Sequence, residues 1–110
     1  MDVLKKSCFI EAASLYPNCS SALLRCLRLL SAAQPQHYQD LQKLFGRGLD
    51  LLRPRADDHW VVIDIGGNHL RLIGGLNYTR QKFYGKHIFT HADYAAASRW
   101  YAGHPQGVMP

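Results

Sequence analysis

The chain has 110 residues, of which 47% are hydrophobic and 19% charged, and its formal net charge is +5 at pH 7. This length fits one domain with one core, and this composition is not that of a disordered polypeptide. The apolar runs are too short for a membrane span of about 20 residues, and none follows Lys5 and Lys6 as in a secretory signal. We therefore expect a cytoplasmic globular protein without a membrane partner.

The first half of the chain has apolar residues at helical spacing. It predicts a short edge strand and three helices, at residues 1–4, 7–16, 18–33 and 37–45. Arg25 and Arg28 lie off the apolar stripe of the second helix, so we expect both to be exposed, whereas Leu44 of the third helix should face inward. Residues 46–58 combine Gly, Pro, Arg and Asp, which predicts an exposed loop.

From His59 the apolar period drops to two, which indicates strands. Three strands are predicted, at residues 60–65, 69–73 and 81–89. The Gly66-Gly67-Asn68 sequence predicts a hairpin turn, and Thr90 can cap a helix at 91–101. Helices followed by an antiparallel meander predict an α+β fold, with the N-terminal helices packed on one face of a small antiparallel sheet. Residues 1–102 would form one domain and 103–110 a disordered tail.

The stretch from Ile65 to Ala92 contains no acidic residue. Strand alternation places Arg71 on the same side as His69, and it predicts one cationic, aromatic face on the next strand, formed by Lys82, Tyr84 and Lys86. Phe83 and Phe89 would share the opposite side. Such a face suits a polyanion whose bases can stack. The alternative is a solvated face whose lysines prevent edge-to-edge aggregation.

Two segments of this half resemble the HigB family of type II toxins. Residues 63–73 (Ile-Asp-Ile-Gly-Gly-Asn-His-Leu-Arg-Leu-Ile) and 90–94 (Thr-His-Ala-Asp-Tyr) have the motifs of that family, with a basic and aromatic strand between them. The resemblance covers about residues 59–98 and extends weakly upstream. The family belongs to the RelE-like superfamily of ribosome-dependent mRNA endonucleases. The resemblance therefore implies a RelE-like fold and an mRNA interferase that needs no cofactor or metal.

The resemblance also implies a set of site residues. From the requirements of metal-free RNA cleavage, we expect Arg71 and Lys86 to stabilise the phosphate and His91 to act in acid–base catalysis. Tyr94 would serve in positioning or as a second proton donor. Asn68 and Lys86 would bind RNA by the same resemblance. The shared sheet face adds three further RNA-binding residues, namely His69, Lys82 and Tyr84.

A toxin of this family would have a cognate antitoxin, usually a small helix-turn-helix protein similar to HigA. Its substrate would be mRNA on the ribosome, and DNA would be contacted only through the antitoxin. An acidic antitoxin segment could cover the sheet cations directly. We favour docking around Arg25 and Arg28 instead, because exposed arginines are enriched at interfaces. The alternative function is a non-catalytic RNA- or ribosome-binding module, and a plain interaction protein is a third hypothesis.

Overall fold

A computed structural model describes residues 1–52, 58–67 and 69–104 of the chain. The described part contains four α-helices, which are α1 (Ser7–Leu15), α2 (Ser20–Ala32), α3 (Tyr38–Phe45) and α4 (His91–Gly103). Pro17 follows the end of α1 and begins a 3-10 turn that ends at Cys19. None of the described helices combines the length and the hydrophobicity needed to cross a bilayer.

The sheet has five described strands, β1 (Asp2–Leu4), β2 (Leu49–Leu51), β3 (Trp60–Ile65), β4 (Leu70–Asn77) and β5 (Lys82–Thr90). Their spatial order is β1-β5-β4-β3-β2, and β1 pairs parallel to β5 whereas the other pairs are antiparallel. The predicted meander corresponds to β3, β4 and β5, and the predicted edge strand to β1. The α+β, RelE-like fold class is thus confirmed, although the sheet is larger than predicted and mixed.

The prediction of an exposed loop at 46–58 was wrong for its first half. A 3-10 turn at Gly46–Gly48 leads directly into β2, whose Leu49 pairs with Ile63 of β3. Leu52 then enters the interior and is only 2% exposed. The apolar alternation of β2 spans only three residues, which is too short to predict a strand among the surrounding Gly, Arg and Asp. Residues 53–57 lie outside the described part of the chain.

The main core lies between the N-terminal helices and one face of the sheet. Its fully buried side chains include Phe9 of α1, Leu23 and Leu30 of α2, and Leu41 of α3. Leu44 does not face inward as predicted, because it borders the groove between α3 and α2 and is 45% exposed. The helices nevertheless bury the sheet face that the apolar alternation predicted.

A second, smaller core covers part of the opposite sheet face. Here α4 contributes Tyr101, which is 1% exposed and packs with Leu52, Val62 and Ile73. This part of the second sheet face is therefore covered by α4. Gly103 ends α4, and the ring of His104 stacks on Trp100 at a centroid distance of 4.0 Å. The rest of the predicted tail, residues 105–110, lies outside the described residues.

A β-bulge changes the side-chain alternation of β5. Ile73 pairs with His87 and Gly74 with Gly85, so Lys86 is an extra residue without a partner on β4. An extra residue reverses which face the following side chains occupy. Phe83 accordingly packs in the main core, whereas Phe89 packs in the second core under α4. The prediction that Phe83 and Phe89 share a side was wrong for this reason.

Candidate active site

One end of the sheet gathers the three residues predicted to be catalytic. At this end β3 finishes and β4 begins, with Asp64 opposite Arg71, and Arg71 is in turn opposite Phe89 near the end of β5. The helix α4 starts directly after β5, so His91 is its first residue and Tyr94 lies within its first turn. Strand pairing and the β5–α4 junction thus bring Arg71, His91 and Tyr94 to the same sheet end.

Arg71 is held between a carboxylate and an aromatic ring. Its Nη1 lies 2.8 Å from Oδ1 of Asp64, and its guanidinium carbon lies 5.0 Å from the centre of the Tyr94 ring. The Arg71 side chain is 22% exposed and that of Asp64 24%, so neither group is freely exposed to solvent. The buried Nε of Arg71 donates no hydrogen bond to any described group. The guanidinium thus lies between the Asp64 carboxylate and the Tyr94 ring, and its contact with Oδ1 of Asp64 is an ion pair without hydrogen-bond geometry.

Sequence reasoning missed Asp64 as a member of this site. Asp64 immediately precedes the acid-free stretch, and Ile65 at the end of β3 pairs with Leu70 at the start of β4. In an antiparallel hairpin, the residues one step further from such a pair also face each other, and cross-strand neighbours interact. Counting back from the turn would therefore have placed Asp64 beside Arg71.

Tyr94 is half-buried against the second core while its ring faces Arg71. Burial raises the pKa of its hydroxyl; the charge of Arg71 opposes this rise, and the carboxylates of Asp50 and Asp64 add to it. Because the ordinary pKa of tyrosine is already about 10, the hydroxyl stays protonated at neutral pH. It can therefore donate a hydrogen bond or a proton.

His91 is exposed at the N-terminus of α4. The predicted cap is present, because Oγ1 of Thr90 accepts a hydrogen bond of 3.2 Å from the backbone N–H of Asp93. This cap fixes the start of α4 and therefore the backbone position of His91. The N-terminus of a helix also favours an anion such as phosphate. His91 is thus suited to proton transfer next to a bound phosphate.

The predicted RNA-binding residues do not all reach this sheet end. Lys82 begins β5 at the far end, more than roughly 20 Å from Phe89 along the strand, and its Nζ lies 3.3 Å from Oδ2 of Asp2. Tyr84 is 41% exposed and lies opposite Gly75, nearer to Lys82 than to Arg71. Lys82 and Tyr84 therefore lie along β5, outside the catalytic cluster.

Lys86 and His69 also deviate from the predicted single face. Lys86 occupies the β5 bulge and borders a cleft of about 200 Å³ that Glu11 and Leu15 of α1 also line. His69 precedes β4 and borders a cavity beside α1, so the strand alternation that paired it with Arg71 does not apply. Asn68 lies outside the described residues, but Gly66 and Gly67 have φ of +66° and +63°, as the predicted turn requires.

The lack of acidic residues between Ile65 and Ala92 does not mean that the cations of this stretch have no ion-pair partners. Arg71 and Lys82 both have carboxylate partners, but these are Asp64 and Asp2, which lie outside that stretch in the sequence. Among the described residues, Lys86 of β5 has no carboxylate within ion-pair distance. Within the same residues, no cluster of three or more His, Cys, Asp or Glu side chains could hold a metal ion.

The arginines predicted to contact the antitoxin are both exposed on α2. Arg25 borders a groove of about 410 Å³ between α2 and α3, which Leu44 and Phe45 line from the α3 side. The floor of the groove includes Ile65, the last residue of β3. This groove therefore combines exposed apolar and cationic groups, and its lining also includes Asp64, the ion-pair partner of Arg71.

Comparisons with known proteins identify the family to which this chain belongs. A family described as HigB_toxin, the RelE-like toxic component of a toxin–antitoxin system, matches residues 19–97. The chain is also 34% identical over 101 residues to a protein of Escherichia coli O6:H1 named mRNA interferase HigB, covering 92% of this chain and 95% of that protein. Such a toxin implies an antitoxin partner. Because both matches cover most of the chain, it belongs to the HigB family of RelE-like toxins of toxin–antitoxin systems.

Proposed function

We propose that this protein is an mRNA endonuclease that cuts messages on the ribosome in the cytoplasm. The observation that carries the proposal is the contact of Arg71 with the Tyr94 ring at the sheet end where His91 begins α4. A fixed guanidinium, a protonated phenol and an imidazole together provide what RNA cleavage without a metal requires. The relative named mRNA interferase, which matches nearly the whole chain, supports the same activity.

In the proposed mechanism, the ribose 2′-hydroxyl attacks the adjacent phosphorus. The 2′-oxygen loses its proton and forms the new P–O bond, while the bond to the 5′-oxygen breaks and that oxygen gains a proton. The products are a 2′,3′-cyclic phosphate and a 5′-hydroxyl. His91 transfers a proton in this reaction, and the Tyr94 hydroxyl positions the phosphate or donates the second proton.

Arg71 stabilises the negative charge that develops on the phosphate oxygens. Its guanidinium can bind two oxygens at once, which an ammonium group does not do with the same geometry. Asp64 and the Tyr94 ring hold the guanidinium in place, so little conformational entropy is lost when the phosphate arrives. Asp64 therefore serves as a positioning residue in this proposal.

The remaining predicted residues are candidates for contacts with the rest of the RNA. Lys86 lies on β5 near the catalytic end, whereas Tyr84 and Lys82 lie further along β5. Asn68 directly follows Gly67 in the sequence and is included for that reason. We propose that these side chains bind the phosphates and bases away from the scissile bond. Their spread along the strand fits an extended single strand.

The function can be tested by adding purified protein to an mRNA with and without translating ribosomes. We expect cleavage within the reading frame when ribosomes translate the message, and little cleavage of the free RNA. Binding to ribosomes or RNA without any cleavage would instead support the non-catalytic binding module.

For the antitoxin we propose docking on the helical side, in the groove between α2 and α3. Arg25 and Leu44 give this groove a cationic edge and an apolar lining, which suits an acidic amphipathic segment. Arg28 lies one turn further along the same helix. In this geometry the catalytic sheet end stays open, and the complex is excluded from the ribosome by its bulk.

Reversing the charge of Arg25 and Arg28 to Glu should weaken antitoxin binding by at least about tenfold. Lys6→Glu, an exposed charge reversal before α1, provides the matched control and should bind normally. A short RNA should not compete with the antitoxin for the wild-type toxin at fixed salt. Competition between the two would show instead that the antitoxin covers the catalytic end directly.

A further inference from the structure

A cavity of about 420 Å³ lies at the catalytic end of the sheet, on the side of α1. It belongs neither to the Arg71 cluster nor to the groove between α2 and α3. The residues that line it include Leu15, Tyr16, Asn18, His69, Leu70 and Thr90. Its volume is within the range of about 300 to 1,000 Å³ that is typical of small-molecule sites.

The cavity exists because two turns approach each other closely. The 3-10 turn at Pro17–Cys19 lies against the hairpin turn between β3 and β4. A Cβ atom on Gly66 would lie only 3.2 Å from Sγ of Cys19, and Gly66 also has a φ of +66°. Glycine therefore permits both the turn and its contact with the 3-10 turn. This contact holds His69 on the hairpin near Tyr16 and Asn18.

The cavity adjoins the catalytic cluster across the thickness of the sheet. Leu70 and Thr90, which line it, are cross-strand partners and immediately precede Arg71 and His91. Because side chains alternate along a strand, Leu70 points towards the helices while Arg71 points towards α4. An RNA strand that passes over this sheet end with its phosphate at Arg71 therefore has the cavity within reach of a neighbouring base.

The lining of the cavity suits a planar, uncharged heterocycle with polar edges. Tyr16 and His69 provide rings on which a base can stack, and Leu15 and Leu70 provide apolar surface. Asn18 is exposed, and its amide, which can donate and accept, has no hydrogen bond to another described side chain or backbone group. None of the described lining residues is acidic or basic apart from His69, so the cavity does not select a phosphate.

We propose that this cavity is a nucleobase subsite, which receives one unstacked base of the mRNA next to the scissile phosphate. The inference rests on the proposed function and deepens it, because it assigns base preference to Asn18. Tyr16 and His69 would bind the ring by stacking, which tolerates any base. The Asn18 amide would read the hydrogen-bonding edge and therefore decide which base is preferred.

The subsite can be tested without any variant by titrating the wild-type protein with the four nucleoside 5′-monophosphates. We expect NMR chemical-shift changes at Tyr16, Asn18 and His69, larger for one base than for the others. Ribose 5-phosphate, which lacks a base, should leave these three signals unchanged. If the antitoxin shifts them and no nucleotide does, the cavity belongs to a protein partner and the proposal is overturned.

The second test maps cleavage sites in a randomised mRNA with translating ribosomes. Asn18→Ala should reduce discrimination at one base position by roughly tenfold, while Gln42→Ala, which removes an exposed amide on α3, should keep the wild-type profile. An unchanged profile in Asn18→Ala and in His69→Ala would overturn the subsite. Absence of cleavage by the wild-type protein would refute the proposed function instead, which the nucleotide titration does not depend on.

Discussion

Replacing His91 with Gln should slow mRNA cleavage by on the order of 100-fold or more, because we assign proton transfer in the reaction to the imidazole. The side chain is exposed at the start of α4, and the cap that fixes this helix end comes from Thr90. The substitution should therefore leave the fold and the affinity for ribosomes intact. The measurement is the cleavage rate on translating ribosomes, together with ribosome binding at the same salt concentration.

His37→Gln offers a matched control, since His37 is exposed at the start of α3 on the helical side of the sheet. It should cut mRNA like the wild-type protein. If His91→Gln remained active with an unchanged pH profile, His91 would have no part in proton transfer. The acid–base groups would then have to be found elsewhere at this sheet end.

Replacing Arg71 with Ala should abolish most of the toxicity on expression, because it removes the cation that we assign to the transition state. The sequence alone led us to expect little change in stability from losing an exposed charge. The structure changes that expectation, because the half-buried Asp64 would lose its only described ion-pair partner. We expect the free energy of unfolding to fall by about 1 kcal/mol or more.

The two effects of Arg71 can be separated with conservative variants. Arg71→Lys keeps the charge near Asp64 but not the planar fork or its contact with the Tyr94 ring, so it should restore stability more fully than activity. Asp64→Asn leaves Arg71 in the protein but removes the charge of its ion-pair partner, so the guanidinium is held less firmly. This variant should lower the cleavage rate with a smaller effect on RNA affinity. Full toxicity of a soluble, well-expressed Arg71→Ala protein would remove Arg71 from the active site.

The features that could be predicted from the sequence are those with a local signal. Apolar periodicity revealed α1 to α3 and the β3–β5 meander, because each of these elements buries one face against the others. The candidate site residues Arg71, His91 and Tyr94 came from a family resemblance, whose motifs include a glycine turn and a helix cap that the structure contains. Burial of one face and helix capping each produce a residue pattern that can be recognised within a single segment of the sequence.

The features that were missed depend on pairing between distant segments. The Asp64–Arg71 and Asp2–Lys82 pairs join different strands, and composition within the acid-free stretch contains no information about them. The bulge at Lys86 shifts the faces of β5 although its own sequence still alternates. The packing of α4 over the second sheet face likewise depends on Leu52, in a segment whose composition indicated a loop.

The most direct test of the account uses an mRNA with a single 2′-deoxynucleotide at a mapped cleavage position. On translating ribosomes, the all-ribose message should be cut there to give a 2′,3′-cyclic phosphate and a 5′-hydroxyl, and the deoxy message should remain intact at that position. These results are expected because the 2′-oxygen is the proposed nucleophile. Cleavage of the deoxy message at the same bond, with a 3′-hydroxyl and a 5′-phosphate, would contradict the mechanism assigned to Arg71, His91 and Tyr94.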